Sequence, residues 1–211
     1  MPLPLDDECL LRHPQLAEAP GLCFWRALTD NGKSRFVQGR LEATGLAKMT
    51  RTLESAVRTG ESAAPSAVVH ALYTTAHGHA VRHEQVITRE PSGLLRFDEV
   101  VVVPDELADV PRVGIVLATS PRFTHTEWTG DGPHECYPDR RAAALAGAWS
   151  APVDDLAVPY IRPQENGSRS RAVTARLTAA DGSAIMLGFD RPMQLNISRT
   201  TVADLAKARH A

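Results

Sequence analysis

Ser66–Ala76 (SAVVHALYTTA), Val81–Arg89 (VRHEQVITR) and Leu94–Val103 (LLRFDEVVVV) follow one another in the middle of the chain. Each is a short run rich in β-branched and aromatic residues, and Pro91-Ser92-Gly93 breaks the last two apart. Gly114–Ala118 and Thr124–Thr129 continue the series, with turn signals about every ten residues. Residues of this kind favour a pleated, half-buried backbone, and this spacing leaves no room for crossover helices. The reading is therefore an antiparallel all-β sandwich or barrel rather than repeated βαβ units.

Working outward, the signals weaken. Thr29-Asp30-Asn31-Gly32 is a strong turn, preceded by the apolar run Gly21–Trp25. Residues 36–58 are ambiguous: Arg40–Thr44 alternates weakly, and Met49–Val57 fits strand or helix. Gly60–Pro65 reads as a loop. Residues 1–20 are Pro-rich and acidic and read as an extended arm before one large domain over 21–211. On the C-terminal side, alanine-rich Arg141–Trp149 fits a short helix. Arg169–Leu177, Ala184–Phe189 and Met193–Ser198 read as three strands, with an Asp181-Gly182 hairpin turn between the first two. At the end, Thr200 or Thr201 caps a short helix, with Asp204 in its first turn.

Composition excludes several classes. A hydrophobic fraction of 43% supports a real core, and a net charge of -2 gives no footprint for nucleic acid or an anionic membrane. No run of five Lys or Arg exists. Cys9, Cys23 and Cys136 stand far apart without a CxxC, which suits a reducing cytoplasm better than a disulfide scaffold. The N-terminus carries acids where a signal peptide carries lysines, and no stretch of about 18 apolar residues predicts a membrane span. A cytoplasmic protein is expected.

Two segments hold the densest chemistry: Gly130–Arg140 (GDGPHECYPDR) and Pro159–Gly167 (PYIRPQENG). Glycine and proline there read as irregular loops held in one shape. Glu135 and Glu165 are the obvious carboxylate pair, and glycoside hydrolysis needs two carboxylates across one bond. The competing reading has each accepting loop N–H groups or pairing with Arg140 or Arg169. His70, His77, His79 and His83 form the histidine cluster, spaced H-x6-H-x-H-x3-H. His77 and His79 share a strand face, but no Asp or Cys completes a closed zinc site, so hairpin-surface histidines are expected. Asp6-Asp7-Glu8 reads as a solvated part of the arm. Trp25, Trp128 and Trp149 suit sugar stacking or, more simply, core anchoring. Gly-x-Ser-x-Gly and Gly-rich phosphate loops are absent.

Trp128–Arg140 (WTGDGPHECYPDR) resembles the G-x-G-P-x-E-x-Y-x-D-R signature near the C-terminus of family 2 bacterial β-galactosidases. Pro159–Arg169 (PYIRPQENGSR) resembles the P-Y-x-x-P-x-E-N-G-x-R segment that follows it there. Trp25–Gly32 (WRALTDNG) is similar to W-R-A-P-T-D-N-D, and Leu195–Leu205 (LNISRTTVADL) to F-x-x-S-x-x-x-x-x-x-L. The matches keep the family's order, with Leu28 in place of the usual proline and Cys136 in place of the usual asparagine.

The resemblance implies the family's fifth, C-terminal domain, which is also the body of its separate small chain. The implied fold is a β-supersandwich of the galactose-mutarotase type, incomplete at both ends, with a short C-terminal helix. The family's catalytic glutamates lie in a preceding barrel, so Glu135 and Glu165 are implied to fix loops instead. Trp25, Arg26, Asp30, Asn31, Glu135, Tyr137, Asp139, Arg140, Glu165, Asn166 and Arg169 are then motif positions shaping one wall of a sugar cleft. No catalytic residue, cofactor or metal ligand is expected in this chain. The expected partner is a catalytic large chain or further copies of the chain, with galactoside bound weakly at most. A stand-alone sugar-binding or mutarotase-like protein, pairing Glu135 or Glu165 with His134 or His125, is the alternative. A functionless gene remnant is the third reading.

Overall fold

The structure, a computed structural model, describes residues 3–33, 35–59 and 64–208. It is all-β, with every strand pair antiparallel and only short helices. The chain divides into two compact units, Met1–Arg26 with Lys33–Ala118 and Ala27–Gly32 with Thr119–Ala211.

The first unit contains β1 (Gly21–Cys23), α1 (Arg35–Ala43), β2 (Met49–Thr59), β3 (Ser66–Thr75), β4 (Ala80–Arg89), β5 (Leu95–Val102) and β6 (Gly114–Val116). β2-β3-β4-β5 form a meander, and β1 pairs β6 in a separate ribbon. The central runs read from sequence are β3, β4 and β5, and β3 shows why. Ala67, Val69, Ala71, Tyr73 and Thr75 are buried and alternate with half-buried residues, the period-two signature of a sheet with one face on a core. That core gathers Phe24, Leu46, Ala71, Tyr73, Val81 and Leu107. The Phe24 and Tyr73 rings meet edge-on, centroids 5.6 Å apart. The ambiguous stretch before β3 splits into α1 and β2. Leu3 reaches a second cluster with Ala67 and Ile87, while Asp6 accepts the Glu8 and Leu10 N–H groups at 3.0 and 2.9 Å and turns the chain at its start. Of the Gly60–Pro65 loop, residues 60–63 lie outside the described residues.

The second unit contains β7 (Phe123–Gly132), β8 (Leu145–Pro152), β9 (Ser168–Ala179), β10 (Ala184–Asn196) and α2 (Val202–Lys207), with sheet order β10-β9-β7-β8. Three expectations need correction. The segment read as an alanine-rich helix is instead β8. It pairs β7 from His125↔Pro152 to Gly132↔Leu145, so tertiary pairing overrides alanine's helix preference. The strands read at Ala184–Phe189 and Met193–Ser198 are one strand, β10, whose register shifts between Gly188 and Met193 absorb Pro192 at a sheet edge. The first motif begins inside β7 rather than in a loop. The expected β9–β10 turn and C-terminal helix cap are both present. Gly182 takes φ +81° in the β9–β10 turn, and Thr201 Oγ1 caps α2 by accepting the Asp204 N–H at 3.1 Å. Trp128, Leu156, Ala172, Ala175 and Leu195 form one core cluster, and Phe123, Val153, Leu177 and Ala179 another.

Among the described residues, no helix is long and apolar enough to cross a membrane.

The two faces of the β3–β5 meander should respond differently to truncation. Ile87 is 1% exposed, so Ile87→Ala should cost about 2–5 kcal/mol. Val100 is 53% exposed on the other face, and Val100→Ala should stay within about 0.5 kcal/mol. Urea unfolding of both variants checks this; equal losses would mean the wrong face has been assigned to the core.

Candidate functional site

The two motif segments meet in one corner of the second unit, at the start of β9. Cys136 N–H donates to the Ser168 carbonyl at 2.8 Å, and Ser170 N–H donates back to Cys136 Sγ at 3.1 Å. The thiol at this position therefore acts as an acceptor that stitches the first loop to β9. Gln194 Nε2 on β10 donates to the Cys136 carbonyl at 2.9 Å.

Glu135 is the hub. Its carboxylate accepts from the Arg140 guanidinium, from the Tyr160 hydroxyl and from Gly167 N–H, the last at 2.8 Å. Its side chain is only 5% exposed. Burial works against the charge. The Tyr160, Gly167 and Arg140 donors outweigh that, and the carboxyl lies below its ordinary value. Arg140 also donates to Tyr160 Oη at 3.2 Å, and those two partners hold its guanidinium protonated. One carboxylate thus ties Gly130–Arg140 to Pro159–Gly167.

Around this hub the loops are fixed residue by residue. Tyr137 and Arg140 exchange backbone hydrogen bonds at 3.2 and 2.9 Å, leaving Asp139 exposed at the tip of a tight turn. Asn166 Oδ1 accepts Val158 N–H at 3.1 Å, and its Nδ2 donates to the Gln164 carbonyl at 2.9 Å. Gln164 Oε1 in turn accepts Asp30 N–H at 3.0 Å, bringing the Thr29–Gly32 turn to the second loop. Gly167 sits at φ +75° with a built Cβ position 2.9 Å from the Leu156 carbonyl, so only glycine fits.

Beneath the loops lie ionisable groups with little solvent. Glu165 is 5% and Arg169 6% exposed. Arg169 Nη1 donates to the Gly167 and Ser168 carbonyls at 2.8 and 3.3 Å, and its guanidinium lies 5.2 Å from the Trp128 ring centroid. Burial pulls the Arg169 guanidinium down from its ordinary value. Burial pushes the Tyr137 phenol up, and the Glu135 and Glu165 charges add to it. Asp131, fully buried, takes a forked ion pair from Arg171, with Nε at 2.9 Å from both oxygens and Nη2 at 2.5 Å from Oδ1. Arg171 reaches it from a left-handed backbone, φ +52°. Gly130 beside it leaves no space: a Cβ there would lie 2.7 Å from Ala172 Cα.

The corner therefore joins Asp30, Glu135, Tyr137, Asp139, Arg140, Glu165, Asn166 and Arg169. Asn31 is exposed at its turn. Trp25 belongs to the other unit, packed against the Phe24–Tyr73 cluster, with half-buried Arg26 next to it. Trp128 and Trp149 are anchors whose Nε1 atoms donate to the Asp131 and Gly130 carbonyls at 3.0 and 3.3 Å. Sequence reasoning missed Asp131, Tyr160, Gln164 and Arg171. Tyr160 stands inside a quoted motif and was findable; Arg171 had no local signal.

The histidines separate. His70 faces Ser55 and Glu84, both at 3.0 Å, on the outer side of the meander. His83 corrects the surface expectation: it is 6% exposed on the opposite face, with Nε2 2.6 Å from Glu99. Among the described residues, no group of three or more His, Cys, Asp or Glu is gathered for a metal.

Substitutions at Glu135 and at two glycines separate hub from packing. Glu135→Ala should cost about 1.5–3 kcal/mol, since charge-assisted hydrogen bonds are lost. An unfolded glutamate titrates near 4.5 and the native one lower, so this contribution is complete above that value. It disappears as pH falls through the depressed native value. Urea titrations of wild type and Glu135→Gln should therefore converge in acid; a gap that widens there would refute the hub. Gly130→Ala should cost about 1–3 kcal/mol by overpacking. Gly188→Ala, with nothing within 4 Å of its Cβ position, should be neutral or stabilising in the same melts.

A family model for the β-galactosidase small chain matches residues 6–211. The β-galactosidase of Aeromonas hydrophila is 31% identical over 225 residues, covering 96% of this chain and 20% of the relative. That of Halalkalibacterium halodurans is 27% identical over 204 residues, covering 92% and 19%. That of Pectobacterium atrosepticum is 38% identical over 115 residues, covering 50% and 11%. The chain spans a fifth or less of the length of these relatives. With its motif corner and nearly its whole length matched, the chain belongs to the β-galactosidase small-chain family.

Proposed function

We propose that this chain is a non-catalytic accessory domain of a β-galactosidase, acting beside a catalytic barrel that residues 1–211 do not include. The observation that carries the reading is the state of Glu135. A general acid or nucleophile of a glycosidase must face the scissile bond with an oxygen free for the sugar. Glu135 instead spends its oxygens on Arg140, Tyr160 and Gly167 and is depressed into the ionised form, the opposite of a tuned acid. The mutarotase-like alternative needs an imidazole beside that carboxylate, whereas His134 is exposed in the bend before Glu135 and His125 lies near the start of β7, at the opposite end of that strand from the first motif. The function is then mechanical: a rigid corner presented as one wall of a galactoside cleft. No cofactor is needed for that role, and a cytoplasmic location is part of the proposal.

The purified chain should give no turnover of a chromogenic β-galactoside and no acceleration of α/β-galactose interconversion. Turnover above the blank in the first assay, lost in Glu135→Gln or Glu165→Gln, would replace this reading by a catalytic one.

A further inference from the structure

We propose that Asn31-Gly32 is a spontaneous modification site, where Asn31 loses its side-chain amide in the folded chain, while the Glu135 hub shields the chemically identical Asn166-Gly167. The sequence holds these two Asn-Gly pairs and no other. Asparagine before glycine is a thermolabile arrangement, because glycine has no Cβ to keep its nitrogen away from the asparagine side chain. By sequence the two pairs are alike: each follows an acidic residue, Asp30 or Glu165. Their surroundings in the fold separate them.

Asn31 is exposed in its turn, and among the described residues nothing hydrogen-bonds its amide. Gly32 N–H reaches only Thr29 Oγ1, at 3.4 Å. Once solvent base takes that proton, the Gly32 nitrogen attacks Asn31 Cγ. The N–Cγ bond forms, the Cγ–Nδ2 bond breaks, and Nδ2 leaves as ammonia with a proton from solvent. Water then opens the cyclic imide: addition at Cγ leaves aspartate, and addition at the main-chain carbonyl leaves isoaspartate. The net change consumes one water and releases one ammonia, with no oxidation or reduction. Either product places a negative charge in the turn. Isoaspartate also lengthens the main chain beside Asp30, whose N–H donates to Gln164 Oε1 at 3.0 Å.

Asn166-Gly167 is closed to the same path. Asn166 Oδ1 accepts Val158 N–H at 3.1 Å and Nδ2 donates to the Gln164 carbonyl at 2.9 Å, so the amide cannot turn towards its neighbour. Gly167 N–H donates to Glu135 Oε2 at 2.8 Å, and removing that proton would set an anion against a carboxylate. The Asn166 carbonyl is held as well, by Asn196 Nδ2 at 2.7 Å. Asn166 therefore reacts only when the corner opens locally. None of this depends on the accessory reading, which the turnover assay tests separately.

The wild-type chain is incubated in mildly alkaline buffer, folded or in urea, and its tryptic peptides are followed by mass spectrometry. In the folded chain the Asn31 peptide should gain the mass of an amide-to-acid exchange and separate into aspartate and isoaspartate forms. The isoaspartate form should be labelled by an isoaspartyl methyltransferase. The Asn166 peptide should convert at least about tenfold more slowly, since it waits on local opening. In urea both peptides should convert at comparable rates, a comparison that needs no variant. Gly32→Ala should slow Asn31 alone: its Cβ meets only the Thr29 backbone at 3.4 Å, so the turn accepts it while the nitrogen becomes crowded. An Asn31 peptide that stays unconverted in the folded chain, an Asn166 peptide that keeps pace with it there, an Asn166 peptide still slow in urea, or a Gly32→Ala chain that converts like wild type would each overturn the proposal.

Discussion

A carboxylate removed from water must be fully partnered, and in the second unit Glu135 meets that demand by recruiting donors from three places. Arg140 comes from its own loop, Tyr160 from the other motif, and Gly167 from the backbone leading into β9. None of these would be fixed by its own segment. Pro159–Gly167 has few apolar anchors of its own, and Ile161 is 92% exposed. The hub converts two irregular segments into one rigid body. The Cys136–Ser170, Asn166–Val158 and Gln164–Asp30 bonds then extend that rigidity outward. A second buried carboxylate, Asp131, repeats the logic one layer deeper, where Arg171 adopts a left-handed backbone to reach it.

The parts legible in the sequence were those whose signal is local. β3, β4 and β5 announce themselves because one face of each needs apolar residues at every second position and because proline and glycine mark their ends. The Gly182 turn and the Thr201 cap are equally local. What was misread depends on partners distant in sequence. β8 looks helical because alanine is a good helix former; only pairing with β7 reveals it as a strand. β10 looks broken at Asp190-Arg191-Pro192 because a strand interior excludes proline, whereas an edge with a bulge tolerates it. His83 looks like a surface residue because histidine is polar, and its burial rests on Glu99, which arrives from the neighbouring strand.

The site was legible in a different sense. Motif order pointed to Glu135, Tyr137, Arg140, Glu165, Asn166 and Arg169 before any geometry. Local chemistry alone left Glu135 open as an acid or a clamp. Only the number and nature of its donors decides between those roles, because three donors lower a carboxyl's pKa whereas an apolar pocket raises it. The residues that supply the decision, Tyr160 and Gly167, are less conspicuous than the glutamate, since neither carries a charge.

β8 bears on the corner as well, through Trp149. Trp149 lies across the backbone of Gly132 so closely that a Cβ there would come within 2.7 Å of the indole. Its own strand neighbour Gly147 is 3.3 Å from the same ring by that measure. The ring fills the space that a side chain at Gly132 would take, so the last residue of β7, from which the first motif continues, is fixed from β8. Trp149 Nε1 also donates to the Gly130 carbonyl at 3.3 Å, so one side chain of β8 holds both glycines that open the motif.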